Sequence, residues 1–146
     1  MGMAALDTDR AIVKKTGLPI SEIFKRHREE GFRALEEEEV GRIRAVSHTV
    51  ISFGGGTVLK AANADIINER CIAIWLWASS DVIMNRIGDD GKRPLLEGRV
   101  RSADLEAMLR ARLPFYARAA DCIINTDTRN SEEIIERICH EISTSL

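Results

Sequence analysis

Apolar and polar positions along this chain alternate between short strand-like runs and longer helix-like runs. Strands are predicted at residues 49–53, 70–77 and 121–125, because these runs are short, apolar and rich in β-branched or aromatic residues. A shorter apolar run at 4–6 predicts the end of a fourth strand. Strands that alternate with helices are typical of an α/β domain with a parallel sheet.

Helices are predicted between these strands. Pro19 opens one of them, since Ile20, Ile23 and Phe24 then share a face at helical spacing. Ser131 is the expected N-cap of the last helix, with acidic residues in its first turn. This last helix covers residues 131–142, and the remaining predicted helices cover 8–16, 30–46, 79–87 and 102–119.

Composition narrows the class of protein. The 146 residues are 45% apolar and 30% charged with a net charge of -2, which suits one globular domain and shows no basic surplus for nucleic acid. No apolar run approaches the roughly 20 residues that cross a bilayer, and no signal peptide is visible. The three cysteines lack metal-ligand spacing. We therefore expect a single cytoplasmic domain at 1–146, monomeric, with no membrane or nucleic-acid partner.

Two acidic residues follow the first predicted strand. Residues two apart in an extended segment point to the same side, so Asp7 and Asp9 face the crevice beyond the strand end, where open α/β sheets bind ligands. There they could bind magnesium or accept a proton from a hydroxyl. Taken alone, the motif favours a simpler function, in which Asp7 or Thr8 caps the following helix.

A triple-glycine loop follows the strand at 49–53. Gly54, Gly55 and Gly56 allow close backbone approach to a ligand and expose amide donors, whereas a plain tight turn seldom needs three glycines. Arg33 and Arg112 suit planar recognition of a carboxylate or phosphate, although each alone is more often a surface residue. Glu36 lies three residues after Arg33 and is placed to orient it by an ion pair.

The glycine-rich, charged stretch at 88–101 has no helical or strand periodicity. Such a stretch is either a surface connection or a mobile lid, and its Lys-Arg-Pro-Leu-Leu centre favours the lid.

Together these motifs resemble the shikimate kinase family over nearly the whole chain. They are DTDR at 7–10, TGLPISEIFKRHREEGFRALEEEEV at 16–40, SFGGGTV at 52–58, RPLLEGR at 93–99 and RLPFYARAAD at 112–121. The resemblance implies a three-layer, P-loop kinase-like α/β fold. It also implies ATP-dependent phosphorylation of the 3-hydroxyl of shikimate, in the biosynthesis of chorismate and the aromatic amino acids.

The resemblance assigns a substrate site. Asp9 would accept a hydrogen bond from the reacting hydroxyl of shikimate and act as the base. Arg33 and Arg112 would bind the carboxylate, and Glu36 would hold the arginines in place. The glycine loop, Gly54 to Gly56, would line the substrate site. The backbone N–H of Gly55 would donate a hydrogen bond to the substrate carboxylate.

It also assigns a nucleotide site for ATP and Mg²⁺. Asp7 and Ser52 would lie near the metal ion and its waters. Arg93 would reach over the transferring phosphoryl group from the lid and take part in catalysis. Arg86 would pack against the adenine, with Arg129 close by. Phosphoryl transfer depends mostly on positioning and charge neutralisation, which suits this set.

One family motif is missing. No G-x-x-x-x-G-K-[ST] sequence occurs among the 146 residues, and the pair Gly91-Lys92 is followed by Arg93. We therefore expect an N-terminally truncated family domain without its phosphate-binding loop and without the central first strand. The strands at 49–53 and 70–77 would then lose their shared neighbour, unless they pair directly or another segment fills the gap. We expect negligible kinase turnover from the isolated chain.

Three functional hypotheses follow. The first is a working shikimate kinase whose start is lost from this sequence. The second is a non-catalytic shikimate-binding or regulatory relative that keeps Asp9, Arg33, Gly55 and Arg112. The third is a related kinase for another small hydroxy acid such as gluconate, because two arginines favour a carboxylate without naming its ring.

Overall fold

The computed structural model describes residues 2–87 and 102–145, which form two compact units, 2–70 and 71–87 with 102–145. The predicted lid at 88–101 lies outside the described residues. The described elements are β1 (Ala4–Asp7), α1 (Thr8–Thr16), α2 (Ile20–Arg42), a 3₁₀ turn (Ile43–Ala45), β2 (Thr49–Ser52), a second 3₁₀ turn (Thr57–Leu59), α3 (Ala61–Arg70), β3 (Ile74–Trp77), α4 (Ser80–Ile87), α5 (Ser102–Ala119), β4 (Cys122–Asn125) and α6 (Ser131–Ser145).

In the first unit, a parallel strand pair lies beside a helical core. β1 pairs with β2 from Ala4 opposite Thr49 to Asp7 opposite Ser52. Ile12, Ile23 and Phe32 are buried together where α1 meets α2. Burying side chains of this size stabilises the fold by about 1.5–3 kcal/mol each. This core fixes α1 and α2 against one another and so sets the positions of the polar residues that they carry.

Helix α1 begins and ends as its sequence predicts. Asp7 is the N-cap, and its Oδ1 accepts from the backbone N–H of Arg10 at 3.0 Å. Gly17 ends the helix in the left-handed conformation (φ 68°), and its N–H donates to the carbonyl of Val13 at 2.9 Å. A glycine is favoured here because other residues are strained at positive φ.

Helix α2 is kinked near the point where the sequence predicts two helices. Arg28 has φ 57° and ψ -173°, a conformation that interrupts the helix. Gly31 lies just beyond the kink, where a Cβ would overlap the Cβ of His27. The tight approach therefore requires glycine at position 31, and it sets the direction of the segment that carries Arg33 and Glu36.

The second unit repeats the pattern of a parallel strand pair with helices. β3 pairs with β4 from Ile74 opposite Cys122 to Trp77 opposite Asn125. Leu105 and Ile124 are buried, and the rings of Trp75 and Tyr116 lie 5.3 Å apart. None of the described helices is long and apolar enough to cross a membrane.

The described strands form two separate two-stranded parallel sheets, β1 with β2 and β3 with β4. Val50 on β2 is 60% exposed and Leu76 on β3 is 51% exposed. Parallel sheets normally bury both faces, so each pair carries apolar surface that the described residues leave exposed. The loss of a shared neighbour for 49–53 and 70–77 stays a prediction.

Two local predictions are wrong. Residues 61–70 form α3, which the sequence analysis missed, so the following strand begins at Ile74 and not at 70. The N-cap of α6 is formed by Asn130 and not by Ser131. Asn130 Oδ1 accepts from the N–H of Glu133 at 3.0 Å, and the Glu133 side chain accepts from the Asn130 N–H at 2.8 Å. This reciprocal arrangement is a capping box.

Candidate substrate site

The candidate site begins at the carboxyl ends of β1 and β2. Asp7 and Ser52 are opposite one another in register, as the last residues of the two strands. The hydroxyl of Thr8, which is fully buried, donates to the carbonyl of Ser52 at 3.2 Å. This bond ties the start of α1, which carries Asp9, to the strand that leads into the glycine loop.

Arg33 and Glu36 form the predicted ion pair beside this edge. Arg33 Nη1 donates to Glu36 Oε2 at 2.8 Å, and Nη2 donates to Glu29 Oε1 at 3.1 Å. Glu36 is only 1% exposed, and a buried carboxylate needs such a partner. Burial by itself lowers the pKa of Arg33, but hydrogen bonding and attraction to Glu36 and then Glu29 raise it above the usual value. Arg33 is therefore a fixed cation.

The glycine loop brings the acid and the cation together. A Cβ built on Gly54 would lie 3.2 Å from Asp9 Oδ1 and 3.4 Å from Glu36 Oε1. A Cβ built on Gly56 would lie 2.7 Å from Arg33 Cζ. Asp9, Arg33 and Glu36 therefore converge on one loop, although they come from three different stretches of the sequence. Gly55 is exposed between the other two glycines.

The arrangement suits a small anion that carries hydroxyl groups. A guanidinium held in one orientation can bind a carboxylate through two parallel hydrogen bonds. A carboxylate close by, here Asp9, can accept a hydrogen bond from a hydroxyl of the same ligand. Both groups lie against Gly54 and Gly56, where the lack of a side chain lets them approach the backbone of the loop closely.

The strand ends have the donor chemistry of a magnesium site. Mg²⁺ prefers oxygen ligands and is commonly held by one or two carboxylates together with waters and substrate phosphates. Asp7 and Ser52 supply a carboxylate and a hydroxyl side by side. Among the described residues there is no cluster of three or more acidic, histidine or cysteine side chains that would bind a metal without other ligands. Asp7 and Ser52 therefore suit a Mg²⁺ ion whose remaining ligands are waters and substrate phosphates. Asp7 also caps α1, as described above.

The two arginines predicted for the adenine lie around the end of β4. Arg86 Nη1 donates to the hydroxyl of Thr126 at 2.8 Å, and Arg86 Nη2 donates to the carbonyl of the same residue. Arg129 Nη1 donates to the carbonyl of Asn125. Hydrogen bonds at the edge of a guanidinium leave its faces suited to stacking on a planar ring.

The 146 residues contain no G-x-x-x-x-G-K-[ST] motif, whose amides and lysine would hold the phosphates of ATP.

The positions predicted for two further arginines stay predictions. Arg112 lies half-buried on α5, in the second unit, so its convergence with Arg33 remains a prediction. Arg93 lies outside the described residues.

The sequence analysis missed two buried polar residues of the site. Thr57 is fully buried, and its hydroxyl donates to Glu36 Oε1 at 2.6 Å. Asn63 is 1% exposed, and its Nδ2 donates to the carbonyl of Thr57 at 3.1 Å. The available signal was a hydroxyl residue directly after the glycine loop, followed by an asparagine on the apolar face of a helix.

Comparisons with known proteins point to one family. The shikimate kinase family model matches residues 1–143. The chain is 39% identical to the shikimate kinase of Moorella thermoacetica over 138 residues, which cover 94% of this chain and 79% of that protein. It is 36% identical to the shikimate kinase of Symbiobacterium thermophilum over 144 residues, covering 97% of this chain and 83% of the relative.

A solved structure, shikimate kinase from Acinetobacter baumannii in complex with shikimate, superposes with a TM-score of 0.94. It is 28% identical and covers 99% of this chain and 80% of its own chain. Shikimate kinase from Aquifex aeolicus superposes with a TM-score of 0.82 at 25% identity, over 98% of this chain and 83% of that one. These matches confirm the predicted fold class, and the chain belongs to the shikimate kinase family.

Proposed function

We propose that this chain binds shikimate and carries the substrate-binding and hydroxyl-activating part of a shikimate kinase. The observation that supports the proposal best is the convergence of Asp9, Arg33 and Glu36 on the triple-glycine loop. A relative of the same fold is described in complex with shikimate.

In this proposal Arg33 binds the shikimate carboxylate through paired hydrogen bonds, because Glu36 holds its guanidinium in one orientation. The backbone N–H of Gly55 donates to the same carboxylate. Arg112 supplies a second guanidinium from α5. The ring is thereby oriented with its 3-hydroxyl towards Asp9.

Asp9 accepts a hydrogen bond from that hydroxyl and serves as the general base when the hydroxyl oxygen attacks phosphorus. A general base must lie within hydrogen-bonding reach of the proton that it removes. Asp9 lies beside the glycine loop, where a Cβ built on Gly54 would be 3.2 Å from its Oδ1.

We propose the nucleotide contacts that the family resemblance assigns. Arg86 and Arg129 are the proposed adenine contacts, Asp7 and Ser52 the proposed magnesium ligands or contacts to its waters, and Arg93 the proposed phosphoryl contact from a lid at 88–101. ATP supplies the phosphoryl group, and Mg²⁺ neutralises its charge. Because the phosphate-binding motif is absent from these 146 residues, we expect no appreciable turnover from them alone.

We further propose that residues 1–146 act as one monomeric domain in the cytoplasm, with a small-molecule substrate and without a membrane or nucleic-acid partner. The net charge of -2 is consistent with this proposal, because nucleic-acid binding normally needs a basic surface.

Titration calorimetry on the 146-residue chain tests the proposal. Shikimate should bind, and Arg33→Met should weaken binding at least about tenfold, the loss expected for a charge-assisted hydrogen bond. Arg26→Met is the matched control, because Arg26 is on the same helix in an exposed pair with Glu22. No shikimate binding at millimolar concentration would reject the proposal.

A second candidate is a shikimate-binding protein without catalytic activity, which would use the same cluster of Asp9, Arg33 and Glu36. Titration with ATP and a coupled assay of ADP release separate the two. A non-catalytic protein should bind shikimate but not ATP. Adding a peptide that carries the phosphate-binding loop should not produce ATP binding or ADP release. Ordinary ADP release from the purified chain would contradict the expected loss of turnover. Tighter binding of gluconate than of shikimate would instead identify a different substrate.

A further inference from the structure

Thr57 is a fully buried hydroxyl residue at the end of the glycine loop. Its Oγ1 donates to Glu36 Oε1 at 2.6 Å, in a contact where both side chains are at most 1% exposed. A short hydrogen bond to a buried carboxylate is among the stronger kinds in proteins. The contact joins residues 21 positions apart, so it ties the loop to α2.

The two oxygens of Glu36 have different partners. Oε2 accepts from Arg33 at 2.8 Å, and Oε1 accepts from Thr57. Oε1 is also the oxygen that faces the glycine loop, since a Cβ built on Gly54 would lie 3.4 Å from it. The Thr57 hydroxyl therefore binds the oxygen of Glu36 that lies against the loop.

The position of this hydroxyl is itself fixed. The N–H of Thr57 donates to the carbonyl of Gly54 at 3.0 Å. The carbonyl of Thr57 accepts from Asn63 Nδ2 at 3.1 Å in a buried hydrogen bond. Hydrogen bonds at its N–H and at its carbonyl fix the backbone of Thr57 independently of Glu36. The Thr57 side chain can therefore orient the Glu36 carboxylate.

We propose that Thr57 is a positioning residue for carboxylate recognition. It holds Glu36 in the rotamer that presents Oε2 to Arg33, by donating a hydrogen bond to Oε1. The inference rests on the proposed function, since it concerns the shikimate carboxylate. Thr57 touches no substrate in this account and acts through Glu36 and Arg33.

The test compares two ligands and three proteins by titration calorimetry. The ligands are shikimate and its methyl ester, which has the same ring without the negative charge. The proteins are the wild-type chain, Thr57→Val, which keeps the shape and removes the donor, and Thr57→Ser, which keeps the donor. Thr57→Val should lower the affinity for shikimate about tenfold to a hundredfold, the range for losing a hydrogen bond to a charged group.

The ratio of the two affinities decides between a positioning role and a structural one. If Thr57 positions Arg33, Thr57→Val lowers the preference for shikimate over the ester, and Thr57→Ser restores it. An equal loss for both ligands, an unchanged ratio or a failure of serine to restore it would overturn the inference. If Thr57→Val does not fold, Thr57→Cys, which is a weak donor, takes its place with the same criteria. Failure of the wild-type chain to bind shikimate rejects the proposed function itself, before any variant is compared.

Discussion

Replacing Gly56 with alanine tests the geometry of the site without straining the backbone. Gly56 has φ -98° and ψ -10°, which any residue adopts. The added methyl group would lie 2.7 Å from Arg33 Cζ and closer still to its two terminal nitrogens. The substitution therefore acts on one target, the guanidinium of Arg33.

The expected magnitude follows from the contacts that Arg33 would lose. To make room, its guanidinium must leave Glu36 Oε2, which it meets at 2.8 Å. A hydrogen bond between charged groups contributes about 1.5–3 kcal/mol, and Glu36 would stay buried with one donor fewer. We expect Gly56→Ala to lower the free energy of unfolding by an amount in that range and to weaken shikimate binding by about tenfold or more.

Chemical denaturation and calorimetry on four variants provide the measurement. Gly41→Ala is the matched control, because Gly41 is also a glycine of this unit and a Cβ there meets nothing within 4 Å. It should raise stability by about 0.5–1 kcal/mol, as expected for glycine to alanine inside a helix. The double variant Gly56→Ala with Arg33→Ala should cost little more than Arg33→Ala alone. An undiminished cost of Gly56→Ala in the absence of Arg33 would refute the reasoning.

Two further predictions concern local structure. Gly31→Ala should destabilise the fold by about 1–3 kcal/mol, because its Cβ would overlap His27 at the kink; a thermal melt checks this against Gly41→Ala, and equal melting points for the two would contradict it. Asn130→Ala should cost about 1 kcal/mol through loss of the capping box, whereas Ser131→Ala should be nearly neutral; denaturant midpoints with the opposite order would restore Ser131 as the cap.

Much of the fold follows from periodicity, and the exceptions have physical causes. Helix α1 was predicted to the residue, because Asp7 and Gly17 give chemically clear start and stop signals. Helix α3 was missed because its apolar residues, among them Ile67, are few, and polar residues such as Asn63 lie on its buried face. Asn63 lies on the buried face because its Nδ2 donates a hydrogen bond to the carbonyl of Thr57. The periodicity of apolar residues does not predict such a contact.

The site could be predicted in part. The Arg33–Glu36 pair follows from helical spacing. The extended segment predicted across Asp7 and Asp9 is wrong, because β1 ends at Asp7 and Asp9 lies in the first turn of α1. The bond between Thr57 and Glu36 spans 21 positions and depends on the direction of α2 after its kink, so no local pattern reveals it. The roles assigned to Arg86, Arg112 and Arg129 remain predictions, and so does that of Arg93, which lies outside the described residues.

A crystal structure of the 146-residue chain with shikimate is the most direct measurement of the central claim. The account predicts that the ligand carboxylate meets the guanidinium of Arg33 and that a ring hydroxyl meets Asp9, with the ring lying over Gly54 and Gly56. A ligand bound elsewhere, or one with its carboxylate remote from Arg33, would contradict it.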